Sequence, residues 1–126
     1  MSVIRVLLVD DEEELVATIQ ERLEMRGIEA KAVTSGHEAL ERVRESRFDV
    51  VVVDLKMPGL NGPEIIDRIR EHQPDIPVML ITGHGSGHGE LEELADRGYQ
   101  ILLKPFQIDR LIAMIREAIP GNGVVR

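Results

Sequence analysis

At 126 residues the chain has the length of one domain, and 43% apolar with 30% charged residues is a globular balance, not a disordered one. It contains no cysteine, which removes disulfides, thiolate metal sites and cysteine nucleophiles from consideration. A formal net charge of −8 with no Lys/Arg cluster argues against direct nucleic-acid binding, and one tyrosine with two phenylalanines leaves little for base stacking.

No apolar run approaches the roughly 18 residues that a membrane span needs. The N-terminus passes straight into a strand-like segment without a basic region and long apolar stretch, so a cytoplasmic location is expected.

Val3 to Val9 is an apolar run that ends in Asp10, Asp11 and Glu12. Leu15, Val16, Ile19 and Leu23 follow at helical spacing, and Gly27 closes that helix as a C′ glycine. Ile28 to Val33 is a short second strand. Ser35 and Glu38 have capping-box spacing at the start of a second helix, which buries Ala39, Leu40 and Val43. Phe48 to Asp54 is a third strand, and a Pro/Gly loop through Pro58, Gly59 and Gly62 follows it. Pro63 suits the first turn of a third helix with Ile65, Ile66 and Ile69 inward.

Pro74 and Pro77 bracket a turn before a fourth strand, Val78 to Ile81, which stops at Thr82. GHGSGHG, Gly83 to Gly89, reads as a flexible loop. Leu91, Leu94 and Ala95 suggest a fourth helix with an acidic outer face of Glu90, Glu92, Glu93 and Asp96. Ile101 to Leu103 is a fifth strand ending at Lys104-Pro105. The last helix has the clearest period, Ile108, Leu111, Ile112, Ile115 and Ile119, and Pro120 stops it. Residues 1–120 form the domain and 121–126 a tail or the start of a linker.

Strands alternating with helices imply a parallel sheet covered on both faces, with right-handed crossovers. Parallel strands share one C-terminal edge, where ligands bind in such folds. Val50 to Val53 reads as a strand buried on both faces, and a carboxylate that ends it needs solvent, a cation or donors. On the same edge lie Asp10, Asp11, Thr82 and Lys104. Adjacent acids repel unless a cation intervenes, and oxygen-only donors favour a hard divalent ion, Mg²⁺. Asp54 then suits a carboxylate nucleophile for phosphoryl transfer, with Asp10 and Asp11 as metal acids, Lys104 as counter-charge and Thr82 as donor.

LLVDDEEE (Leu7 to Glu14), VVVVDLKMPGLNG (Val50 to Gly62), ITGHG (Ile81 to Gly85) and LLKPF (Leu102 to Phe106), in that order and spacing, resemble the receiver domain of two-component response regulators. The resemblance covers essentially the whole chain. It implies a flavodoxin-like (βα)5 three-layer fold with strand order 2-1-3-4-5 and a cis Lys104-Pro105 bond. It also implies a signalling domain that promotes only its own phosphorylation and dephosphorylation, not a metabolic enzyme.

A phosphohistidine on a sensor kinase or phosphotransfer protein would phosphorylate Asp54. Mg²⁺ would be held directly by Asp11, Asp54 and the backbone carbonyl of Lys56, and by Asp10 mainly through water. Thr82 would move to bond the phosphoryl group, and Lys104 would pair with it. The surface around the fourth helix and fifth strand would then switch toward an output domain or target protein. A homodimer through the fourth helix, fifth strand and fifth helix is one such arrangement.

The chain departs from this pattern at Ile101, where the family usually has a switching Tyr or Phe, and at Gly98, where it often has alanine. Tyr99 would point to the same face of a regular strand as Ile101. Two other readings remain open on the residues. One is a binding module that signals without phosphate. The other is a phosphatase or flavoprotein on the same architecture, although Lys56 stands where an aspartyl phosphatase usually has an acid. His84 and His88 are four apart, but among glycines they read as loop residues and not as a helical metal pair. Lys56 and His84 are expected near the path of attacking water.

Overall fold

The structure is a computed structural model that describes residues 3–57, 60–83 and 88–119. Five strands, β1 (Arg5–Val9), β2 (Glu29–Val33), β3 (Val50–Asp54), β4 (Val78–Thr82) and β5 (Gln100–Leu103), pair in the order β2-β1-β3-β4-β5, all parallel. Helices α1 (Glu13–Met25), α2 (Gly36–Glu45), α3 (Gly62–His72), α4 (His88–Asp96) and α5 (Ile108–Ala118) alternate with them. This is the flavodoxin-like arrangement expected from the sequence. No helix among the described residues is long and apolar enough to cross a membrane.

Two-residue alternation along the strands divides the core between the two faces of the sheet. Val6, Leu8, Val50, Val52, Met79 and Ile81 pack with α1 (Val16, Ile19, Leu23) and α5 (Leu111, Ile112, Ile115). Leu7, Val9, Val51, Val53, Val78 and Leu80 pack with α2, α3 and α4 through Ala39, Val43, Ile65, Ile66, Ile69 and Leu94. All five residues of β3 and all five of β4 are buried, and the first four of each form an unbroken apolar run before Asp54 and Thr82. The register sets Val53 against Val9 and Leu80, and Asp54 against Ile81.

Two helices close in the same way. Gly27 at φ +79° and Gly98 at φ +92° occupy the left-handed region that an L side chain resists. Gly27 N–H donates to the Glu24 carbonyl at 3.1 Å and Ile28 N–H to Leu23 at 3.0 Å. Gly98 and Tyr99 repeat the pattern onto Ala95 and Leu94 at 3.0 and 3.3 Å. Both are Schellman motifs, and in each the apolar residue after the glycine packs with its carbonyl partner's side chain in one core. The glycine at position 98 therefore has a backbone reason: it turns the chain sharply from α4 into β5.

Several local expectations shift. Ser35 Oγ accepts from Glu38 N–H at 3.1 Å, as a capping box requires, but Glu38 Oε1 accepts from the hydroxyls of Thr34 and Ser35 instead of reaching back to the main chain. The loop after β3 contains a two-stranded antiparallel ribbon, Lys56–Met57 with Leu60–Asn61. Pro58 and Gly59 lie outside the described residues. α4 begins at His88, so His88 and Gly89 are helical and not loop, while Ala95 is exposed because Leu94 already fills the inward position. Met114 joins the buried face of α5. Pro120 and the 121–126 tail fall outside the described residues.

Leu80 has no exposed surface on a central strand, so Leu80→Ala should lower unfolding free energy by about 2–5 kcal/mol in urea denaturation. A Cβ at Gly98 meets nothing within 4 Å, so the strain there is conformational alone. Gly98→Ala should cost about 1–2 kcal/mol in the same assay.

Candidate phosphoryl-transfer site

The strand order reverses between β1 and β3, because the chain passes from β1 out to β2 and then returns to add β3 on the other side. At that point two neighbouring strands diverge toward their crossovers and leave a crevice above their C-terminal ends. Asp10 follows β1 and Asp54 ends β3, so both carboxylates enter the crevice from adjacent strands. Thr82 ends β4 and is fully buried. Lys104 follows β5, and its N–H donates to the Thr82 carbonyl at 2.7 Å. Lys104-Pro105 is cis, as expected.

The lysine reaches back across the edge. Its Nζ lies 3.6 Å from Asp10 Oδ2, 3.6 Å from Asp54 Oδ2 and 3.1 Å from Glu12 Oε1. Gly83 runs alongside it, and a Cβ there would stand 3.8 Å from Lys104 Cδ. Both aspartates are almost completely buried, whereas Glu12 is exposed.

Asp10 Oδ1 accepts the N–H of Glu12 at 2.9 Å, while Asp10 Oδ2 is buried with no hydrogen-bond donor among the described residues. Burial pushes the Asp10 carboxyl up to about 6, and the charge of Asp54 adds to this against the opposing pull of the Glu12 N–H and Lys104. Burial would lower Lys104, but the hydrogen bond to Glu12 and the charges of Asp10 and Asp54 outweigh it and hold the ammonium above its ordinary value.

The expected site residues are thus largely brought together. Asp10, Asp54, Thr82 and Lys104 meet at one edge. Asp11 is exposed, and the described carboxylates able to converge on one ion are those of Asp10, Glu12 and Asp54, with ligand atoms within 4.8 Å of one another. Lys56 opens the ribbon two residues beyond Asp54. His84 lies outside the described residues. Nothing in the sequence sets Glu12 apart within the acidic run Asp10 to Glu14. A third acid after the Asp-Asp pair was its only signal, and helix starts carry such acids routinely.

A divalent cation fits this donor set. The oxygens are hard, sulfur is absent, and the buried Asp10 Oδ2 lacks a donor that a cation would replace.

A doubly wound α/β domain with acids and a lysine at its switch point is a recognisable class. The chain matches the response regulator receiver domain over residues 6–116. It is 34% identical over 113 residues to the C4-dicarboxylate transport transcriptional regulatory protein DctD of Rhizobium meliloti, spanning 90% of this chain and 25% of that protein. It is 33% identical over 118 residues to the uncharacterized transcriptional regulatory protein YkoG of Bacillus subtilis, spanning 94% and 52% respectively. A response regulator receiver domain protein from Clostridium thermocellum superposes with a TM-score of 0.82 at 31% identity, covering 93% of this chain and 94% of that one. The chain belongs to the response regulator receiver domain family. It spans a quarter to a half of the length of these curated relatives.

The raised Asp10 pKa has a consequence for stability in the absence of divalent ions. A carboxyl at about 6 in the folded state and 3.8 otherwise favours folding below pH 4 and loses that contribution as pH rises through 6. Asp10→Asn removes the ionisation. In chelator it should be more stable than wild type at pH 7.5 by about 1–3 kcal/mol, with the advantage gone by about pH 4, as read by urea denaturation at each pH.

Proposed function

We propose that this receiver accepts a phosphoryl group on Asp54, from a phosphohistidine of a sensor kinase or phosphotransfer protein, in a Mg²⁺-dependent reaction. The observation that carries the reading is the Asp54 carboxylate, buried at the end of a central strand and 3.6 Å from the Lys104 ammonium.

A carboxylate oxygen of Asp54 attacks phosphorus. The O–P bond forms as the P–N bond breaks, and the electron pair stays on the leaving imidazole nitrogen. The product is an aspartyl phosphate. Lys104, already within ion-pair range, meets the charge that arrives on the phosphoryl oxygens. Thr82, on the neighbouring strand, donates its hydroxyl to one of them. Asp11, Asp54 and the Lys56 carbonyl would hold the Mg²⁺ directly and Asp10 mainly through water, beside the Glu12 carboxylate. Bound there, Mg²⁺ would neutralise phosphoryl charge.

Readout passes to the surface of α4 and β5, since Thr82 is bonded through its carbonyl to the start of the Lys104 segment. Tyr99 is buried beside Ile101 in the core under α3 and α4, with Arg70 and Arg97 at 5.6 and 5.7 Å from its ring centroid. The domain's only chemistry is its own phosphorylation and dephosphorylation. The output is a partner or an attached domain, and the region of α4, β5 and α5 is where a second copy would pair.

Incubation with acetyl phosphate and Mg²⁺ should add one phosphoryl group by intact mass, lost on hydroxylamine treatment. Asp54→Asn should abolish the gain, and chelation should suppress it. Lys104→Met should slow it about 100-fold, the usual effect of removing one charge-stabilising donor. A gain that persists in Asp54→Asn rules the assignment out.

A further inference from the structure

Glu12 precedes α1 at the N-cap position, yet its side chain makes no capping hydrogen bond. The neighbouring acids Glu13 and Glu14 already meet the positive end of the helix. The Glu12 carboxylate instead turns to Lys104 at 3.1 Å, closer than either aspartate at 3.6 Å. It is 61% exposed, against 5% and 6% for Asp10 and Asp54, so it can move and they cannot.

The same ammonium therefore lies within 4 Å of two sets of carboxylates at once. One is the buried pair, whose Asp10 Oδ2 has no hydrogen-bond donor among the described residues. The other is the rim, with Glu12. Three carboxylates and one ammonium leave two net negative charges, which a divalent ion balances. A cation approaching Asp10 and Asp54 is repelled by an ammonium lodged between them.

We propose that Glu12 is a positioning residue for the cation site: its carboxylate draws the Lys104 ammonium toward the rim and clears the buried aspartates for a divalent ion. The inference rests on the cation-assisted reading above and adds a residue and a division of labour to it. Glu12 acts through the lysine, so its effect on metal binding must vanish when the lysine's charge is gone.

Titration calorimetry with Mg²⁺ tests this on wild type, Glu12→Gln, Glu13→Gln, Lys104→Met and the Glu12→Gln/Lys104→Met double variant, with urea midpoints confirming that each is folded. Glu13→Gln removes the same charge from the next residue along and should change affinity by less than about twofold, because an exposed charge outside the site is screened. Glu12→Gln should weaken Mg²⁺ binding about fivefold, the upper range for one exposed ion pair. In the Lys104→Met background the same substitution should fall to the Glu13→Gln level. Equal effects of Glu12→Gln and Glu13→Gln overturn the inference, as does a Glu12→Gln effect undiminished by Lys104→Met. A wild-type chain that binds no Mg²⁺ overturns the cation reading itself, and this inference with it.

Discussion

Two aspartates are buried side by side at the end of a parallel sheet, and the Lys104 ammonium is what makes that tolerable. Each carboxylate lies 3.6 Å from it and is almost completely removed from solvent. Burying like charges together costs several kcal/mol unless a cation compensates. The compensation here is incomplete. Asp10 carries the cost openly in a carboxyl pushed up to about 6 and in an oxygen without a hydrogen-bond donor among the described residues. Stability withheld at this edge becomes affinity for whatever positive charge the edge admits.

The rest of the architecture keeps that arrangement in place. β3 and β4 are buried along their whole lengths, which pins the strand ends carrying Asp54 and Thr82. Helices on both faces prevent the sheet from sliding, since a one-residue slip would exchange the two cores. Farther from the site, Gln73 fastens the end of α3 to the segment entering β3. Its Nε2 donates to the carbonyls of Val43 and Ser46 at 3.2 and 2.9 Å, and its Oε1 accepts from Phe48 N–H at 3.1 Å. The site is a charged exception held by a largely apolar scaffold.

Packing is looser at β5 and α4 than in the central strands. β5 is an edge strand with exposed Leu103 and half-buried Ile101, in contrast with the sealed β3 and β4. α4 packs into the core through buried Leu94 and partly buried Leu91, and it presents Glu92, Glu93 and Asp96 to solvent. Few buried contacts and an exposed acidic face make this region less costly to rearrange than the sealed central strands. Tyr99 is buried in the same cluster, beside partly buried Ile101.

The alternation of strands and helices was legible in the chain because it is written in local periods: four consecutive valines, the i, i+3, i+4 spacing of α5, glycines at 27 and 98. Asp10, Asp54, Thr82 and Lys104 were legible for the same reason, as polar residues that end apolar runs and must share an edge once the strands are parallel. Other features depended on packing. Ala95 turns outward because Leu94 takes the inward place, and Gln73 finds partners up to 30 residues away. Glu12 meets Lys104 across 92 residues of sequence, and nothing local distinguishes it from the acids that follow it. A sequence period fixes which face a residue is on. Which charges on that face come within 4 Å of one another is decided only when the sheet is assembled, because Coulomb interactions act through space and not along the chain.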